Sequence, residues 1–122
     1  MIRSLLESIC YEIRNNIDVL EQYTATADTV FVGGGLTKFP AFCQIEADVT
    51  RLPMTRNRAH AEQTSFGTWV SAAVALGMFD SYEAALACAV TEPVVYQPNP
   101  ELAGLYEARR RTMNDLYQKL FS

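Results

Sequence analysis

The sequence has no C-x-x-C pair and a single histidine, His60. Without paired thiols or His/Cys groups at ligand spacing, neither a disulfide frame nor a metal site is expected. Its cysteines, Cys10, Cys43 and Cys88, are far apart and each falls in a predicted helix. They read as buried free thiols of a cytoplasmic protein in a reducing compartment. Positive charge is scarce. Lysine and arginine total 10 against 14 acidic residues, giving a net charge of −4 and a pI near 4.9. That balance argues against a nucleic acid polymer as main partner. Val70 to Phe79, the longest nearly apolar run, is far too short to span a membrane. The first residues lack the pattern of a signal peptide, and repeats and low-complexity tracts are absent. What remains is enough for one small domain: 122 residues, 49% of them hydrophobic.

The chain is organised around one stretch. Thr29 to Val32 is β-branched and aromatic, and its unbroken apolar run predicts a strand buried on both faces. Gly33, Gly34 and Gly35 follow, where the backbone can take positive φ and lie close to a ligand. Pro40 suits the first position of a helix, and Leu52 to Thr55 reads as a second strand. A β-helix-β step implies a parallel pair. Amide groups at such a helix start favour an anionic or electron-rich ligand. Two named motifs fail on it. A dinucleotide fingerprint needs glycine at Lys38, and in a Walker loop Lys38 would stand later and be followed by Ser or Thr, not Phe39. On local pattern alone, a nucleotide-type loop and a glycine turn that merely tightens a βα connection both stand.

The other segments are mostly helical. Ile2, Leu5, Leu6, Ile9, Ile13, Ile17 and Leu20 form an apolar stripe on a helix to about Gln22, with Glu7 largely off it. This stripe starts with no N-cap before it, as in a fragment. On the helix after the glycines, Phe42, Ile45 and Val49 face inward. Glu46 and Asp48 point apart and read as solvated charges, or Asp48 as the cap of a following turn. Arg51, Arg56, Arg58 and His60 form a solvated basic loop. Ala61 to Leu76 is a helix in which mid-helix Gly67 implies a close contact, and Gly77 ends it. Asp80 to Glu83 opens a short helix reaching about Val90. Pro93, Pro98 and Pro100 mark an extended crossing, and Glu101 to Phe121 the last helix. Arg109, Arg110 and Arg111 spread around that helix and read as a solvated face. The fold class is α/β, two short parallel strands with surrounding helices.

Several motifs recur in an order that carries a resemblance. Arg3 to Tyr11 stands where a helix R-A-x-L-E-G-I-A-Y would. Gly34, Gly35 and Pro40 match D-G-G-x-x-x-N-P; Gln44 to Val49 matches Q-I-x-A-D-V; Pro53-Met54 follows as P-V. Glu62 to Trp69 echoes E-A-x-A-L-G-A-A, and Tyr96, Pro98, Pro100 and Tyr106 echo a closing Y-x-P-x-P run. Taken in order, the series resembles the C-terminal part of the FGGY family of carbohydrate kinases. Gly33 replaces an acidic residue common in the family, and Phe39 the asparagine beside the adenine; an aromatic face can still stack on a base.

The resemblance implies an actin-like ATPase (ribonuclease H-like) domain, with residues 1–122 as its C-terminal portion in the second, ATP-binding lobe. It implies ATP at Gly34, Gly35 and Phe39, with Mg2+ held mainly by parts absent from the chain. The family transfers the γ-phosphoryl of ATP to a sugar or polyol hydroxyl, and its catalytic base lies in the first lobe. No residue here matches that base, so the chain alone is expected to be inactive. Its expected partners are a nucleotide and either the missing N-terminal kinase portion or a second copy of the chain. The alternative is a non-catalytic truncated module engaged in protein–protein association.

Overall fold

A computed structural model describes residues 1–57, 63–89 and 92–121. In chain order these form α1 (Ile2–Glu21), β1 (Val30–Val32), a 3-10 turn (Gly35–Lys38), α2 (Pro40–Thr50), β2 (Met54–Asn57) and α3 (Gln63–Ala75). Then come α4 (Tyr82–Ala89), β3 (Pro93–Tyr96), a second 3-10 turn (Pro100–Leu102) and α5 (Ala103–Phe121). The expectations for Arg58 and His60 fall outside the described residues.

α2 is the hub, packing on α1, α5, β2, β3 and both 3-10 turns. Pro40 does open it, and Arg51 ends it in the left-handed region (φ 61), its amide donating to the Ala47 carbonyl at 2.8 Å. The Arg14 guanidinium reaches the Thr50 carbonyl at 2.7 Å, setting a cation at the helix C-terminus where the dipole favours one. Phe42, Ile45 and Val49 face inward as expected and meet Cys10, Tyr11 and Tyr106 in one core, with Leu6, Leu102 and Met113 at its margin.

Among the described residues the sheet has three strands, in the order β1-β2-β3. β1 and β2 are parallel, with Val30 opposite Met54 and Val32 opposite Arg56. The unexpected third strand is the proline-rich crossing: β3 runs antiparallel to β2, with Pro93 opposite Asn57 and Tyr96 opposite Met54. Proline is tolerated there because Pro93 is the first residue of an edge strand, where a missing amide breaks no ladder. β1 departs from expectation too. Val30 and Val32 are half-buried but Phe31 is 72% exposed, because one face of this edge strand is uncovered.

Other corrections share a cause: tertiary neighbours override local pattern. The α1 stripe is covered only in part: Ile2, Leu5 and Leu20 are exposed and Leu6, Ile13 and Ile17 half-buried, while Glu7, expected largely off the stripe, is buried with Cys10 and Tyr11 where α1 packs on α2 and α5. Glu46 and Asp48 are buried rather than solvated. Asp48 Oδ1 accepts from the Asn99 amide (2.8 Å) and from Gln44 Nε2 (2.9 Å), so it caps a turn distant in sequence. Gly67 is exposed, and a Cβ there would meet nothing within 4 Å, so no close contact requires it. Cys88 is exposed, unlike the other two thiols. Gly77 (φ 77) closes α3 as expected: its amide donates to Val74 and that of Met78 to Ala73, a Schellman motif. α4 is capped one residue later than expected, by Ser81 Oγ accepting from the Ala84 amide at 3.1 Å. α3 and α4 pack on each other, and Trp69 stacks on Phe66 and meets Phe79 edge-on.

Candidate functional site

The glycine turn leaves the sheet at the end of β1. Gly34 has φ 105 and ψ −179, backbone that a side chain rarely adopts, so glycine is needed there to turn the chain. Its carbonyl accepts from both the amide (3.2 Å) and the hydroxyl (2.7 Å) of Thr37, which closes the 3-10 turn. Thr37 is buried, and its own carbonyl accepts from Arg56 Nη1 of β2 at 2.6 Å and from Cys43 Sγ of α2 at 3.4 Å. The Phe39 carbonyl receives the Phe42 and Cys43 amides and so starts α2. Strand, turn and helix are thus tied together from beneath.

The outer side of this turn is open. A Cβ added at Gly34 or Gly35 would meet nothing within 4 Å. The amides of Gly35 and Leu36 precede the first bond of the 3-10 turn and are not spent within it. Phe39, 62% exposed, presents its ring beside the turn. The three expected site residues, Gly34, Gly35 and Phe39, therefore lie on one short segment with accessible backbone and an aromatic face.

Two features of the surroundings escape sequence reasoning. The first is a groove of about 440 Å3 between α1 and β1, walled by Ile9, Ile13, Val30 and Phe42 and reaching the glycine turn at Gly33 and Gly35. Glu46 of α2 also lines it; the residue is only 4% exposed, and its Oε2 has no hydrogen-bond partner among the described residues. Burial pushes its carboxyl above the usual carboxylate range. Burial, reinforced by Glu46, also raises the Cys43 thiol and pushes Cys10 up to about 12.

The second is an ion cluster joining α1 to α5. Buried Glu7 receives Arg3 Nε (3.0 Å), Arg109 Nη1 (3.3 Å) and the Tyr11 hydroxyl (3.3 Å), and Arg3 also donates to the Tyr106 hydroxyl. Arg110 bridges Asp18 and Glu107, both at 2.9 Å, and holds the Glu107 carboxyl below its ordinary range. Arg111 also meets Glu107. Arg109 and Arg110 are therefore structural rather than merely solvated. The four-residue spacing of Arg3 and Glu7 was a readable signal; the reach to Arg109 was not. Among the described residues no group of three His, Cys, Asp or Glu could hold a metal ion. No helix among them is long and apolar enough to cross a membrane.

Residues 1–76 match the FGGY family of carbohydrate kinases, C-terminal domain. The autoinducer-2 kinase of Photorhabdus laumondii is 31% identical over 119 residues, which cover 96% of this chain and 22% of that protein. The uncharacterized sugar kinase YgcE of Escherichia coli is 32% identical over 110 residues, 89% of this chain and 22% of its own length. Among solved structures, xylulose kinase from Rhodospirillum rubrum superposes with a TM-score of 0.72 at 25% identity, covering 97% of this chain and 24% of that one. Plasmodium falciparum glycerol kinase with ADP gives 0.76 at 19% identity, covering all of this chain and 24% of that one. The chain thus spans less than a quarter of the length of these relatives, and its fold is that of the actin-like ATPases. By the match over residues 1–76, the chain belongs to the FGGY family of carbohydrate kinases, in the C-terminal domain of that family.

Proposed function

We propose that residues 1–122 form the C-terminal, ATP-site portion of a carbohydrate kinase that transfers the γ-phosphoryl of ATP to a sugar or polyol hydroxyl. The observation that carries this reading is the clamped, outward-open glycine turn at the end of β1, in a chain of this family. ATP supplies the transferable phosphoryl group. In this reading the backbone at Gly34 and Gly35 lies against the nucleotide, and the base stacks near Phe39. In this reading the Mg2+ ion and the catalytic base come with the rest of the kinase. Phosphoryl transfer depends on positioning and charge stabilisation, and this chain positions only the nucleotide. The non-catalytic alternative has no support in the relatives above, all of which are kinases.

Gly35 is the position to test, because a side chain there enters open space without the backbone strain that Gly34 would suffer. Replacing Gly35 by valine should weaken binding of a fluorescent ATP analogue by about tenfold, equivalent to ~1.4 kcal/mol. An unchanged affinity would remove the loop from the nucleotide site. A coupled assay over a panel of pentoses, hexoses and polyols should find no turnover by the isolated chain. Turnover that a Gly34 substitution abolishes would overturn the assignment of catalysis to other parts of the kinase.

A further inference from the structure

Thr37 is the buried foot of the glycine turn, and its carbonyl fastens the turn to the sheet and to α2. Among the described residues two donors reach that carbonyl. The Cys43 thiol, at 3.4 Å, is a weak donor. Arg56 Nη1, at 2.6 Å, makes a short bond from an ionised group and is the stronger of the two. Arg56 is half-buried rather than part of a solvated loop. It stands on β2, opposite Val32 of β1 and Val94 of β3. A strand paired on both sides holds its side chains more precisely than a loop does. Lys38, the cation on the turn itself, is exposed.

We infer that Arg56 is a positioning residue for nucleotide binding. It fixes the Thr37 carbonyl from beneath and so sets the backbone of Gly34 and Gly35 in the shape that receives the nucleotide, without touching the ligand. This rests on the proposed function and assigns a further residue to the same site. The turn has little else to hold it. Glycines lose the most freedom on being ordered, and a 3-10 turn has poorer hydrogen-bond geometry than an α-helix. With Arg56 in place that ordering is complete before the nucleotide arrives, and binding does not bear its cost. Without it, the Thr37 carbonyl keeps only the thiol.

The test compares the 122-residue protein with Arg56→Met, which keeps the apolar stem and removes the donor, and with Arg56→Lys, which returns one charged donor. Arg56→Met should weaken binding of a fluorescent ATP analogue by about tenfold, and Arg56→Lys by about threefold. In 15N spectra recorded without nucleotide, the Lys38 amide, which shares a peptide group with the freed carbonyl, should move furthest. The Gly34 and Gly35 amides should follow it and the rest of the spectrum stay in place, with smaller shifts in Arg56→Lys. Where Arg56→Met fails to fold, the threefold loss and the Lys38 shift in Arg56→Lys decide alone. Unchanged affinity, or no gain from methionine to lysine, would overturn the inference. Weaker binding with Lys38 unmoved would put the guanidinium on the nucleotide itself, and shifts spread through the core would make Arg56 merely structural; either overturns it. Should the unaltered protein bind no ATP analogue, the proposed function fails and this inference with it. Should it bind, and Arg56→Met bind equally, this inference alone fails.

Discussion

Gly34 and Gly35 are adjacent and answer to different constraints. Gly34 is required by its positive φ, whereas Gly35 carries no such strain and only leaves space. Both were legible in the sequence, as was Pro40, because a glycine turn and a helix start are set by the backbone of the residues themselves. Glu46 and Glu7 were not legible. Helical position shows which residues share a face, but not that α1 and α2 would close over a carboxylate. The thiols divide along the same line. Cys10 is pushed up to about 12 by burial and by nearby carboxylates, so it stays protonated across the ordinary pH range. Cys43 is raised and buried as well, while Cys88 is exposed. Brief treatment of the folded protein with iodoacetamide at pH 8 should alkylate Cys88 alone, with Cys10 and Cys43 modified only after denaturation. Mass spectrometry of tryptic peptides reads this directly. Rapid labelling of Cys10 would show that α1 does not close over α2 as described.

At the scale of elements, α3 shows how little one glycine resembles another. Gly77 sits at φ 77 and closes the Schellman motif, so Gly77→Ala should cost about 1 kcal/mol by forcing a side chain into left-handed backbone. Gly67 is mid-helix and exposed with open space around it, so Gly67→Ala should stabilise by about the same amount. Urea midpoints moving in opposite directions would confirm the pair; a loss at Gly67 would show that the residue has a contact of its own. The helices were readable because their apolar periodicity and punctuation agree. β3 was not, because its prolines mimic a loop and only the register with β2 makes it a strand.

For the whole molecule, the telling feature is how much apolar surface remains uncovered. Phe31 on the sheet edge, Ile2 and Leu5 on α1, and Leu116, Leu120 and Phe121 on α5 are all exposed. Surface of this kind is characteristic of interfaces. The apolar stripe of α1 was visible in the sequence, but not which side would be covered, since that depends on how α2 and α5 share the helix. Light scattering at micromolar concentration should therefore show mass rising with concentration, together with a melting temperature that depends on concentration. A monodisperse monomer with a sharp, concentration-independent melt would show that the chain is self-sufficient.

α2 also sets a timetable for synthesis. Its Asp48 carboxylate is paired with the Asn99 amide, 51 residues later, and its Gln44 side chain with the Gln97 carbonyl, 53 residues later. A ribosome releases the chain from its N-terminus, so β1, the glycine turn and α2 emerge well before the residues that pin them. Until Gln97 and Asn99 have left the exit tunnel, the glycine turn rests on a helix whose polar side is still unanchored.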